Sequence, residues 1–127
     1  MTMNRVILID IDGTICDDIK NEDSHLFGQA KLYPKSLEII NKWYEKGDVI
    51  TFFTARKSKD REVTENWLKE KGFKYNGLIM DKPRIKDGQE YFWIDNRPVN
   101  GVNYVGNWSE LVEVESKIKS FSISLEP

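Results

Sequence analysis

Four large aliphatic residues, Val6-Ile7-Leu8-Ile9, run directly into Asp10-Ile11-Asp12-Gly13-Thr14, and this junction constrains the fold more than any other stretch. An unbroken apolar run of that length predicts a strand buried on both faces, as at the centre of a parallel sheet. Asp10 and Asp12 do not belong in such a core unless they are paired or bound to a cation, so they mark the strand's end. Gly13 then turns the chain through backbone angles that other residues avoid. Acids at the carboxyl end of a central strand lie where open α/β sheets bind their ligands.

The rest of the chain repeats that grammar. Residues 16–33 are polar, with no helical or alternating period, and a connection of that length in a small domain is functional or mobile, so they read as a flap beside the strand end. Pro34 opens a helix at a favoured first-turn position; Leu37, Ile40, Trp43 and Tyr44 recur along it and Gly47 closes it. Val49–Phe53 reads as a second strand ending at Thr54-Ala55-Arg56. A charged helix follows from about Lys59 to Lys71, with Val63, Trp67 and Leu68 as its apolar stripe and Gly72 at its end. Leu78–Met80 is a third strand, stopping at Asp81-Lys82-Pro83, and Asp87-Gly88 is a turn signal. Tyr91–Ile94 is a fourth strand ending at Asp95-Asn96-Arg97-Pro98, and Asn103–Val105 a candidate fifth. Trp108–Ile118 is helical, and Phe121, Ile123 and Leu125 alternate as an edge strand or an ordered tail would. Strands alternating with helices predict an α/β fold, a three-layer Rossmann-like sandwich around a mainly parallel sheet.

With 127 residues the chain supports one core, so residues 1–127 are expected to form a single domain. A net charge of -2 supplies no global attraction for nucleic acid or for an anionic membrane. The one cysteine, Cys16, cannot form an intrachain disulfide. No run approaches the ~20 apolar residues of a membrane span, and no signal-peptide core precedes the first acids, so a cytoplasmic location is expected.

In a parallel sheet all carboxyl ends fall on one edge. Four successive strands here end in polar groups: Asp10 and Asp12, Thr54 and Arg56, Asp81 and Lys82, and Asp95, Asn96 and Arg97. Two or three gathered carboxylates repel, and a divalent cation is the usual resolution; an all-oxygen site suits Mg²⁺ with a phosphate. Lys, Arg and Thr supply donors to phosphate oxygens. Together these are the components of phosphoryl transfer.

At these residues the sequence resembles the haloacid dehalogenase superfamily of phosphatases and phosphotransferases. Asp10-Ile11-Asp12-Gly13-Thr14 matches its first motif, D-x-D-G-T; Thr54 matches the Ser/Thr closing the next strand. Lys82, with Lys86 as competitor, matches the lysine before the fourth strand, and Asp95 begins the final acid pair. Asn96 departs from that pair and removes one negative charge. The resemblance spans about Val6 to Val105. It implies Asp10 as nucleophile, Asp12 as general acid and base, and Thr54 and Lys82 as phosphoryl-binding groups. It further implies Mg²⁺ on Asp10, Asp95 and the Asp12 carbonyl, with Asn96 orienting a bound water. Ile11, Arg56 and Arg97 are the substrate-binding candidates, although the two arginines serve equally well as structural ion pairs. His25 reads as a solvated loop residue and Cys16 as a buried filler.

Neither gap between motifs holds a cap domain, so the resemblance is to the short capless phosphatases. Their open site takes a large substrate or is covered by a neighbouring subunit of a homo-oligomer. A phosphatase for sugar or other small metabolite phosphates in surface or capsular polysaccharide biosynthesis is the first reading. A polynucleotide 3′-phosphatase is the second, since the T-A-R and I-D-N-R-P stretches also resemble the phosphatase half of polynucleotide kinase-phosphatases; the net charge disfavours it without deciding. A non-catalytic binding module that keeps the fold is the third.

Overall fold

A computed structural model describes residues 4–121. The chain divides into two compact units, Met1–Arg84 and Ile85–Pro127.

The first unit carries the sheet: β1 (Val6–Ile9), β2 (Val49–Phe53) and β3 (Gly77–Ile79), in the order β1-β2-β3 and all parallel. Val6 pairs with Val49 and Ile9 with Phe52, while Thr51 pairs with Gly77 and Phe53 with Ile79. Parallel pairing brings the three carboxyl ends to one edge, as the alternation of strands and helices requires. β2 has the bounds expected of it. β1 does not have the burial expected of it: Ile9 is buried, but Val6 is 73% and Leu8 39% exposed. The reason is position, since β2 rather than β1 is the middle strand of the three described.

Helix α1 (Pro34–Glu45) begins with Pro34 in its first turn and buries Ile40 and Trp43. Ser36 fastens its start, donating from Oγ to the Tyr33 carbonyl at 2.6 Å and the Ile15 carbonyl at 3.2 Å. Helix α2 (Arg61–Lys71) buries Thr64, Trp67 and Leu68 and ends on Gly72 in the left-handed region (φ 91°). Trp67 stacks on Phe73, and Phe73 meets Phe52 of β2 edge to face, so the apolar stripe of α2 closes over the sheet. Arg5 ion-pairs with the buried Asp48 at 2.8 Å, tying the start of β1 to the start of β2.

The connection at 16–33 differs from expectation. Asn21–Gln29 forms 3-10 helical turns with a kink at Asp23. Phe27 is fully buried there, and the Trp67 indole donates to the Ala30 carbonyl at 3.0 Å. Asn21 Nδ2 donates to the Ala55 carbonyl at 3.1 Å, anchoring the segment to the end of β2. One buried aromatic and tertiary hydrogen bonds order a stretch whose composition alone reads as a solvated flap. His25 is exposed, as expected.

In the second unit, helix α3 (Trp108–Phe121) starts where anticipated. Asn107 Oδ1 caps it by accepting from Ser109 N at 2.9 Å, and Trp108 is buried beside Tyr104. Tyr91–Ile94 and Asn103–Val105, expected as fourth and fifth strands, form no strand. β propensity expresses itself only through a partner ladder, and Phe92 and Ile94 are 82% and 87% exposed. Of the alternation at 121, 123 and 125, the last two positions lie outside the described residues. No helix among the described residues is long and apolar enough to cross a membrane.

Candidate active site

The turn after β1 is built by its own backbone. Thr14 N and Ile15 N both donate to the Ile11 carbonyl at 3.0 Å, and Gly13 N donates to the Cys16 carbonyl at 2.9 Å. Gly13 sits at φ 80°, and a Cβ there would approach Asp18 to 3.3 Å, so glycine answers both strain and space. Ile11 and Ile15 point into the core, fully buried. The Ile11 side chain is therefore a core residue; only its main chain faces the turn.

This turn leaves Asp10 and Asp12 with different surroundings. The Asp10 carboxylate accepts from Thr14 Oγ1 at 3.0 Å and from Lys82 Nζ at 3.1 Å, and its side chain is 37% exposed. Asp12 is more enclosed. Its two oxygens accept a forked pair from Arg56, Nε at 2.9 Å and Nη2 at 2.8 Å. Burial pushes the Asp12 carboxyl above its usual range; Arg56 pulls it down, the negative charges of Asp10 and Asp18 push it up, and the net direction is upward.

Arg56 is fully buried. Besides Asp12 it reaches Thr64, donating from Nη1 to Oγ1 at 3.1 Å, while its guanidinium carbon lies 3.9 Å from the centre of the Phe27 ring. Thr64 satisfies its hydroxyl in both senses, since it also donates to the Asp60 carbonyl at 2.8 Å. Thr54 is likewise fully buried; its Oγ1 accepts from Arg56 N at 3.1 Å. The Thr54 main chain joins the strand ends, with N donating to the Ile79 carbonyl and O accepting from Lys82 N, both at 2.9 Å.

Lys82 reaches Asp10 because of the residue before it. Asp81 adopts φ 64°, in the left-handed region that a non-glycine residue occupies only when its surroundings hold it there. Asp81 N donates to the Arg56 carbonyl at 2.8 Å, and its carboxylate accepts from both Ser58 N and Ser58 Oγ. Between the two candidate lysines, Lys82 is the one bonded to Asp10. Lys86 is exposed in the second unit, where its main chain pairs with Gln89.

Thus Asp10, Asp12, Thr54, Arg56 and Lys82 come together in the first unit. Asp95, Asn96 and Arg97 belong to the second. There Asp95 accepts from the Trp93 indole at 3.2 Å and from Arg97 N at 3.1 Å, a local turn of the kind aspartate favours. The Trp93 hydrogen bond, then that of Arg97, lowers the Asp95 carboxyl below its usual range. Cys16 is buried, and desolvation, reinforced by the Asp12 charge, pushes its thiol up to about 12, which leaves it unreactive at neutral pH.

Sequence reasoning did not single out Thr64 or Phe27, and it named Asp81 only as a polar residue at the end of the third strand. Thr64 lies on a helix face that reads only as packing. Phe27, the lone aromatic among the polar residues 16–29, was the one available signal for its segment.

Asp10 fits a hard divalent cation by donor type, since each of its oxygens has a single hydrogen-bond donor and keeps lone-pair capacity. Among the described residues, no three or more His, Cys, Asp or Glu side chains form a group that could hold a metal by themselves. That is compatible with Mg²⁺, which binds through one or two carboxylates and takes its remaining oxygens from water and phosphate.

The parallel α/β sheet with its flanking helices has the haloacid dehalogenase-like fold. Residues 7–92, about two thirds of the sequence, match the family described as "PITM 1-3, LNS2 domain", and the chain belongs to that family. Two solved structures share the fold at 19% identity. One is a Pnkp1/Rnl/Hen1 complex, with a TM-score of 0.57 over 70% of this chain and 31% of that one. The other is a crystal structure of a structural-genomics target from Vibrio cholerae, with a TM-score of 0.55 over 89% of this chain and 98% of that one. The chain thus spans less than a third of the first neighbour. No curated protein matches the sequence.

Proposed function

We propose that the protein is a Mg²⁺-dependent phosphomonoester hydrolase that works through an aspartyl-phosphate on Asp10. The observation that carries this reading is the division of labour between two carboxylates one residue apart. Asp10 is accessible and held by Lys82 and Thr14; Asp12 is enclosed, and its carboxyl is raised. A reachable carboxylate beside an enclosed one suits nucleophile and general acid.

In the first step an Asp10 oxygen forms a bond to phosphorus while the bond to the leaving oxygen breaks. The leaving oxygen keeps the electron pair and takes a proton from Asp12. In the second step water attacks phosphorus and gives a proton back to Asp12, and the Asp10–phosphorus bond breaks to release inorganic phosphate. Lys82 offsets charge on Asp10 and on the phosphoryl oxygens. Thr54 holds the second strand end in place and is the other phosphoryl-binding candidate. Mg²⁺ would be held by Asp10 and the Asp12 carbonyl, with its remaining oxygens from water and phosphate, and would draw the anionic nucleophile and phosphate together.

The substrate class we favour is a sugar phosphate or another small metabolite phosphate, in a cytoplasmic step of surface or capsular polysaccharide biosynthesis. The net charge of -2 supports a small substrate over a polyanion. Homo-oligomers that cover the open site belong to the same proposal. The testing experiment is phosphate release from sugar phosphates, amino-alcohol phosphates and 3′-phosphorylated oligonucleotides, with Mg²⁺ and with excess chelator. Chelator-sensitive release that is lost in Asp10→Asn supports the reading. Preference for the oligonucleotide moves the substrate to polynucleotide ends.

A second reading is a phosphate-binding module without turnover. Asn96 favours it, because it stands where the resemblance expects a second acid and removes one negative charge. Absence of release from every ester, with retained phosphate binding, would select it.

A further inference from the structure

Arg56 is an expensive residue to bury. A guanidinium taken out of water is tolerated only when its charge and N–H groups are matched. Here the matching groups converge from three separate segments: the Asp12 carboxylate after β1, Thr64 on α2, and the Phe27 ring from the 3-10 turns. Its main chain is also committed, with N bonded to Thr54 Oγ1 and O accepting from Asp81 N. A side chain fully buried and held on all these sides is not placed to meet a substrate.

We propose that Arg56 is a positioning residue for Asp12, its planar fork fixing the plane of the proton-donating carboxylate while Thr64 and Phe27 fix the fork. Two parallel N–H···O bonds define the plane and rotation of a carboxylate, which a single ammonium cannot do. The Asp12 side chain remains 14% exposed, so the locked residue is not sealed from solvent. This inference rests on the phosphomonoesterase reading and assigns Arg56 a role in the first step. The proton leaves Asp12 for the departing oxygen as the phosphorus–oxygen bond breaks, and Arg56 neither gains nor loses a proton.

The readout is leaving-group dependence. An alkyl phosphate leaves as a strongly basic alkoxide and needs the proton; para-nitrophenyl phosphate leaves as a stabilised phenolate and scarcely needs it. The ratio of kcat/KM on the two esters, which reports formation of the aspartyl-phosphate, therefore measures the alignment of Asp12. Arg56→Lys keeps the charge and loses the fork, and it should cost roughly tenfold or more extra on the alkyl ester than on the aryl ester. Thr64→Val, which removes one acceptor from the guanidinium, should shift the ratio in the same direction by less, and it carries the test if Arg56→Lys does not fold. Equal losses on both esters in wild-type-like folded protein, or a rise in KM alone, would overturn the positioning role and return Arg56 to substrate binding or simple structure. An inactive wild type on both esters instead rejects the phosphatase reading, and this inference goes with it.

Discussion

Phe27→Ala is the perturbation whose cost follows most directly from the structure. The ring is fully buried and supports Arg56 on one face. Removing a buried phenyl side chain loses its transfer free energy and leaves a cavity, together about 3–5 kcal/mol. Loss of the desolvated contact with the guanidinium adds on the order of 1 kcal/mol. A total of about 4–6 kcal/mol corresponds to a fall in Tm of roughly 15–30 °C for a chain of this size. Denaturant unfolding followed by circular dichroism, beside a thermal melt, measures it, and Phe27→Leu, which retains most of the volume, should lose less than half as much. A cost for Phe27→Ala under about 1 kcal/mol, the level of an exposed loop position, would refute the packing described for residues 21–29.

Three further outcomes are expected. Lys82→Met should lower kcat by about 100-fold or more while the fold survives, because the cation bonded to Asp10, which the proposed mechanism sets against the phosphoryl oxygens, is lost; a phosphate-release assay with a parallel melt checks it. Asp81→Val should be less stable than Asp81→Gly by roughly 1–2 kcal/mol, since the left-handed backbone at φ 64° penalises a β-branched residue and costs glycine nothing; comparative denaturation decides. Stability should also fall in acid through Asp48. Burial pushes its carboxyl up, but the Arg5 side-chain and main-chain hydrogen bonds more than offset this, and the net shift is downward. A carboxyl lowered in the folded state contributes stability above its unfolded pKa of about 4, and that contribution is lost as pH falls through the folded value. Asp48→Asn should remove about 2 kcal/mol at neutral pH and flatten the acid limb of a stability-against-pH curve.

Much of the first unit was legible because local chemistry and fold agree there. Pro34, Gly47 and Gly72 bound the helices they were expected to bound, and the apolar run Val49–Phe53 became a strand of identical extent. The Asp10–Thr14 turn was readable because two acids and a glycine have few ways to follow a buried strand. What was not legible depended on distant partners. The polar composition of residues 16–33 concealed a helical segment held by Phe27, Asn21 and Trp67. The apolar character of Val6–Ile9 gave no sign of whether the strand was flanked on one side or two, and Tyr91–Ile94 has strand-like residues without a ladder. At the site, Asp10, Asp12 and Lys82 could be picked out by type and spacing. The bond from Arg56 to Asp12 could not, because it joins residues 44 apart through a burial pattern that only the folded chain creates.

The central claim, that Asp10 carries the phosphoryl group, is tested most directly by mass spectrometry of protein acid-quenched during turnover of a phosphate ester with Mg²⁺. The account predicts a phosphorylated peptide modified at Asp10, present in wild type and absent from Asp10→Asn. Steady turnover with no phosphorylated Asp10, or with the group on another residue, would contradict it.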